Sequence, residues 1–169
     1  MADQDDAVAL AELGRQLYRA SKRGQAAEVA RLLDLNAPIE HRVGEYRVTP
    51  LMIAAQEGHT EVVTLLANRG SDLEARNTNG RNALQSASAK GHFAVVQLLV
   101  ERKADIEALT SDGYNSLMWA SCFGHLAVVQ YLASKGSSIN TTANKGTDAC
   151  LYAAPVSYTH LTLPTIYSV

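Results

Sequence analysis

Three histidines recur at intervals of 33 residues, His59, His92 and His125, each directly after a glycine. Imidazoles at fixed spacing are what a metal site or a general base needs, so the spacing has to be tested against geometry. Neighbouring packed helices lie about 8–10 Å apart and Zn–N bonds are about 2 Å, so one ion cannot bridge successive rungs of such a ladder. A structural role at the start of a helix is the expectation for these rings. No histidine adjoins a cysteine or serine in a nucleophile motif. The glycines follow the same period and form neither GxxxxGK[ST] nor GxGxxG, the patterns that cradle phosphate. Carboxylates are scattered singly, as solvated side chains are. The expectation is a chain that is not an enzyme and that carries no cofactor and no metal. Cys122 and Cys150 show no ligand spacing, and are expected to be buried as small apolar residues in a reducing compartment.

The elements that would position any site come from composition and periodicity. With 47% hydrophobic and 19% charged residues, a 169-residue chain can bury a substantial core. A formal charge of −2 and a pI near 6.2 give no drive toward phosphates, which argues against nucleic acid as partner. The opening MADQDDAVALAELGRQL lacks the basic flank and apolar block of a secretory signal, and no apolar run is long enough to insert in a bilayer. The expected location is the cytoplasm, with the nucleus also open.

Three segments align without gaps: TPLMIAAQEGHTEVVTLLANRGSDLEARN from Thr49, NALQSASAKGHFAVVQLLVERKADIEALT from Asn82 and NSLMWASCFGHLAVVQYLASKGSSINTTA from Asn115. An earlier copy carries Leu17, Ala20, Gly24, Val29, Leu32, Ala37 and Ile39 at an offset of 34. Each unit reads as two short helices. Thr49, Asn82 and Asn115 are N-cap residues, and Pro50 suits the first helical position. Gly58, Gly91 and Gly124 permit a sharp reversal. The Val-Val and Leu-Leu pairs then form the buried stripe of a second helix. A unit of this length cannot hide its own apolar face and must stack on its neighbours.

In aggregate these residues resemble the ankyrin repeat family, over roughly residues 9 to 154. The resemblance implies an all-α solenoid of stacked helix-turn-helix units with projecting hairpin or turn fingers, used mainly to bind other proteins. The units are expected at about 9–42, 43–76, 77–109 and 110–142, with a partial unit at 143–154. The sequence departs from the family at the slot after the first leucine, where Met52, Gln85, Met118 and Leu151 replace a histidine that normally organises hydrogen bonds.

On the ankyrin plan, the finger tips and the exposed side of each first helix line a concave surface. The residues expected to bind a partner protein there are Glu45, Tyr46, Gln56 and Glu57 in the second unit, Thr78, Asn79, Arg81 and Lys90 in the third, and Ser111, Asp112, Tyr114 and Phe123 in the fourth. Tyr46, Tyr114 and Phe123 have the apolar body and polar rim of interface anchors. Trp119 is expected half-buried between neighbouring helices.

The last stretch, PVSYTHLTLPTIYSV, breaks the pattern. Residues 156–165 resemble a translated sequencing adapter, whose continuation also accounts for Ile166 to Val169. The tail from about 156 is therefore expected to be non-native, which resequencing the gene past Ala154 tests. The rival reading makes Val156, Tyr158, Leu161, Leu163 and Ile166 a docked β-strand. A repeat array broken off in its fifth unit implies a longer parent chain. It also implies lost cover over Val128, Val129 and Leu132, and a monomer apart from association through that uncapped end.

Overall fold

The computed structural model describes residues 2–137. Among these, the chain forms helices α1 (Ala2–Lys22), α2 (Ala26–Asp34), α3 (Pro50–Glu57), α4 (Thr60–Asn68), α5 (Ala83–Lys90), α6 (Phe93–Glu101), α7 (Ser116–Cys122) and α8 (Leu126–Ser134). The described residues hold no sheet, only an antiparallel bridge between Val43 and Val48 at the base of a finger. Consecutive helices pair as antiparallel hairpins. The first helices α1, α3, α5 and α7 pack in one row, and α2, α4, α6 and α8 pack in a second. The architecture is an all-α solenoid of two helical layers.

The local sequence sets each helix boundary. Thr49 Oγ1 accepts from the Met52 N–H at 3.3 Å and Pro50 opens α3, while Asn115 caps α7 through the Met118 N–H at 2.9 Å. Asn82 and Gln85 form a reciprocal capping box at the start of α5, satisfying two backbone donors that a helix otherwise leaves open. Gly58 and Gly91 end α3 and α5 with φ of 80° and 74°. The second helices close with a left-handed residue too: Asn36, Gly70, Lys103 and Gly136 occupy matching slots.

Stacking is carried by two ladders of leucine. Leu17, Leu51, Leu84 and Leu117 line one layer and Leu32, Leu66, Leu99 and Leu132 the other, all at 1% exposure or less. Each such side chain contributes roughly 1.5–3 kcal/mol by leaving water. Val128 and Val129 belong to the same cluster as Leu99 and Leu117, and together with Leu132 are at most 7% exposed. That overturns the expectation of lost cover there: the apolar side chains of α8 are packed into the core that it shares with α6 and α7.

The first helix extends back to Ala2, ahead of the first unit expected at about 9–42, through a run that contains no proline. The expectation for Cys122 needs correction. Cys122 is neither fully buried nor a free thiol; it closes α7 at the rim of the stack and not in the core. The proposed partial unit at 143–154, Cys150 and the tail from 156 lie outside the described residues.

Carboxylates clamp each turn to the next repeat. Glu40 Oε1 accepts from the Asp72 N–H at 2.9 Å, and Glu74 accepts from the Asp105 N–H at 2.8 Å and from Asn82 Nδ2 at 3.0 Å. Burial pushes the Glu40 carboxyl above its ordinary range, against the pull of its bond to Asp72. A raised folded-state pKa means that this group favours folding most below the unfolded carboxylate range, and that the benefit is lost as pH rises through the raised value. Glu40→Gln keeps the acceptor and removes the charge. The variant is expected to melt higher than the parent at neutral pH and to show a smaller difference between acidic and neutral melts.

Candidate protein-interaction surface

The histidine ladder links repeats. His59 Nε2 lies 3.0 Å from the Lys22 carbonyl, His92 Nε2 2.9 Å from the Gln56 carbonyl, and His125 Nε2 3.1 Å from the Ala89 carbonyl. A carbonyl only accepts, so Nε2 carries the proton in each ring. Each imidazole thereby satisfies a carbonyl near the end of the preceding unit's first helix. It also rests on that unit's glycine: a Cβ at Gly58 would stand 2.6 Å from His92 Nδ1. Among the described residues no three His, Cys, Asp or Glu side chains gather as metal ligands.

Gln85 restores at one position the network that the missing family histidine left open. It is fully buried, and its Nε2 donates to the carbonyls of Ala108 at 2.7 Å and Tyr114 at 3.2 Å, while Oε1 accepts from the Asn82 N–H at 2.9 Å. One amide therefore ties α5 to both sides of the next finger. The fingers are also joined tip to tip. Thr78 N–H donates to the Tyr46 carbonyl and Ser111 N–H to the Asn79 carbonyl, each at 3.1 Å. Arg42 and Arg76 each reach the backbone of the following unit, at Arg76 and Leu109.

On this frame Glu45, Tyr46, Thr78, Asn79, Ser111 and Asp112 stand on the fingers, Tyr46 56% exposed among them. Glu57, Lys90 and Phe123 are exposed at the ends of α3, α5 and α7, with Gln56 half-buried beside Glu57. Tyr114 differs from expectation. It is 7% exposed, because Trp119 packs against it with ring centroids 5.2 Å apart, so it supports the surface instead of projecting as an anchor. Trp119 is half-buried as expected and organises the local cluster. Phe123, 58% exposed, stacks on it at 6.1 Å, and the Arg81 guanidinium lies 3.9 Å above its ring. The structure thus brings Arg81, Tyr114 and Phe123 together around Trp119. Tyr46 and Glu45 sit on an earlier finger. An open groove lined by Ala26, Ala30, Thr64 and Leu65 runs between α2 and α4 on the opposite layer.

A family model described as ankyrin repeats (3 copies) matches residues 15–77 and 51–143. The chain belongs to the ankyrin repeat family. Ankyrin repeats are protein–protein interaction modules and are themselves non-catalytic. The stack is similar to Ankyrin repeat and SOCS box protein 11 of Homo sapiens, 38% identical over 77 residues, covering 46% of this chain and 23% of that protein. It is likewise similar to Ankyrin repeat and SOCS box protein 5 of Bos taurus, 41% identical over 76 residues, covering 45% of the chain and 21% of the relative. The Probable E3 ubiquitin-protein ligase XBOS33 of Oryza sativa subsp. japonica is 38% identical over 76 residues, 44% of this chain and 14% of its own length. The matched stretch spans less than a quarter of each of these relatives. No helix among the described residues of the ankyrin stack is long and apolar enough to cross a membrane.

Proposed function

We propose that this ankyrin stack is a non-enzymatic adaptor, acting as a monomer in the cytoplasm or nucleus, that grips a segment of a partner protein along a concave face of finger tips and first helices. The observation that carries this reading is the exposure of Tyr46 on a finger, and of Lys90 and Phe123 at the ends of first helices, on a frame whose fingers are hydrogen-bonded to one another. A surface held in place by backbone bonds loses little conformational freedom on docking. Finger residues Glu45, Thr78, Asn79, Ser111 and Asp112, with Gln56, Glu57 and Arg81, complete the proposed contact set. Tyr114 contributes by holding Trp119 in place.

The test is affinity capture from source-cell lysate with face and back variants. Tyr46→Ala combined with Phe123→Ala is expected to weaken capture about 30-fold or more, the loss of at least one interface anchor. Phe93→Ala with Leu126→Ala, at exposed positions of the second-helix layer, is expected to leave it unchanged. Equal losses from both pairs at unaltered helicity count against the face.

A second reading is favoured by the names and lengths of the relatives. Two are SOCS box proteins and one a probable ubiquitin ligase, and their repeats match over less than a quarter of each protein. On this reading the stack is the targeting segment of a longer modular enzyme or channel. A reading frame that encodes only further repeats after residue 137 would exclude it.

A further inference from the structure

We propose that the cluster of Arg81, Trp119 and Phe123 selects an acidic partner segment, whose Asp or Glu carboxylate pairs with the Arg81 guanidinium while an adjacent apolar side chain covers the Phe123 ring. The proposal rests on the partner-binding face described above and names the chemistry that the face reads.

Arg81 is the motivating residue. Desolvated cations are normally paired with an acid. Arg81 is half-buried, yet none of the ion pairs among the described residues includes it, and its Nε–H has no acceptor. Burial alone holds its pKa below the usual range, with no carboxylate opposing the shift. Among the described residues, its guanidinium stacks on the Trp119 ring, 3.9 Å from Cζ. Stacking on an aromatic face orients a guanidinium while leaving its edge to pair with a planar acceptor. The Trp119 Nε1–H also lacks an acceptor. Both of these donors are buried, so a partner's carboxylate would meet the terminal Nη groups of the guanidinium and not Nε or the indole N–H.

Phe123 supplies the other half. It lies nearly parallel to Trp119, with 10° between the ring planes, and is 58% exposed, so an apolar surface adjoins the cation. A carboxylate fits better than a phosphate. One guanidinium fork balances the single charge of a carboxylate, whereas a phosphate group, at roughly −1.5 to −2, carries more charge than one arginine neutralises. Asp112 on the neighbouring finger forms no ion pair with Arg81, so the cation has no competing partner there.

The experiment uses the full chain as bait for a displayed library of random twelve-residue peptides. The expected result is enrichment of peptides with Asp or Glu beside an aromatic or aliphatic residue. Trp119 is the sole tryptophan, so its fluorescence reports binding of a synthesised winner directly. Replacing the peptide acid by its amide is expected to weaken binding about tenfold or more, and Arg81→Gln to do the same, with little further loss when both are combined. Arg81→Lys keeps the charge and loses the fork, and is expected to bind at an intermediate level with helicity intact. Winners that lack an acid, or that bind Arg81→Gln unchanged while Phe123→Ala weakens them, overturn this proposal and leave the face standing. Winners indifferent to both Arg81→Gln and Phe123→Ala, or no enrichment at all, overturn the face as well.

Discussion

Gly58→Ala is expected to destabilise the stack by about 3 kcal/mol, the sum of a left-handed backbone strain and a broken link between repeats. The residue sits at φ 80°, a region that costs an L side chain about 1–2 kcal/mol. Its added Cβ would lie 2.6 Å from Nδ1 and 2.8 Å from Cε1 of His92, closer than such atoms approach. The ring must move, and its 2.9 Å bond to the Gln56 carbonyl breaks. Gly70→Ala separates the two effects, since Gly70 has φ 86° but nothing within 4 Å of the place its methyl would take. Its cost is expected to be the strain alone. In urea unfolding, Gly58→Ala and His92→Ala combined should cost less than the sum of the singles, because each already removes the same contact. Equal costs at Gly58 and Gly70, with simple additivity toward His92, would rule out the glycine–histidine link.

Gln85→Ala is expected to cost about 4 kcal/mol, through a cavity and two backbone groups that lose their partner. The Asn82 N–H and the Ala108 carbonyl depend on this one amide, while the Tyr114 carbonyl also accepts from the Thr110 N–H at 2.9 Å. The sharper experiment is Gln85→Glu, which has nearly the same shape. Its carboxylate could still accept from Asn82 but would face two carbonyl oxygens in a fully buried position. Such a group takes a raised pKa in the folded state. The variant should therefore be close to the parent at acidic pH and lose stability as pH climbs through that raised value. Thermal melts at about pH 4 and pH 8 read this directly; a variant as stable as the parent at both would show that the amide donates nothing.

The two experiments probe parts of the molecule that were unequally legible beforehand. The glycine bends at 58 and 91, the caps at Thr49, Asn82 and Asn115, and the leucine stripes are local or periodic properties. They could be read because backbone conformation and helix amphipathicity act over a few residues. The destination of His92 Nε2 could not be read, since its partner at Gln56 lies 36 residues earlier and is brought near only by stacking. The same holds for Gln85, whose place in the pattern looked like a loss of the family histidine. Its amide instead spans the finger that begins 23 residues later.

The interaction surface divides in the same way. Tyr46 and Phe123 stand in solvent, where their place in the repeat put them. Tyr114, with the same apparent credentials, is covered, because the residue that shields it belongs to the helix after it. Arg81 gained its interest only once its ring partner and its lack of an acid became visible.

By itself, the amino-acid order determined the period, the helix boundaries, the apolar stripes and the ankyrin membership, because these depend on short-range sterics and on hydrophobic spacing. Only the tertiary structure decided which polar atoms meet across repeats, which aromatic ring is buried and which cation is left unpaired. Those outcomes depend on the packing of units some 33 residues apart, where a side chain's partner is set by the stack and not by its neighbours along the chain.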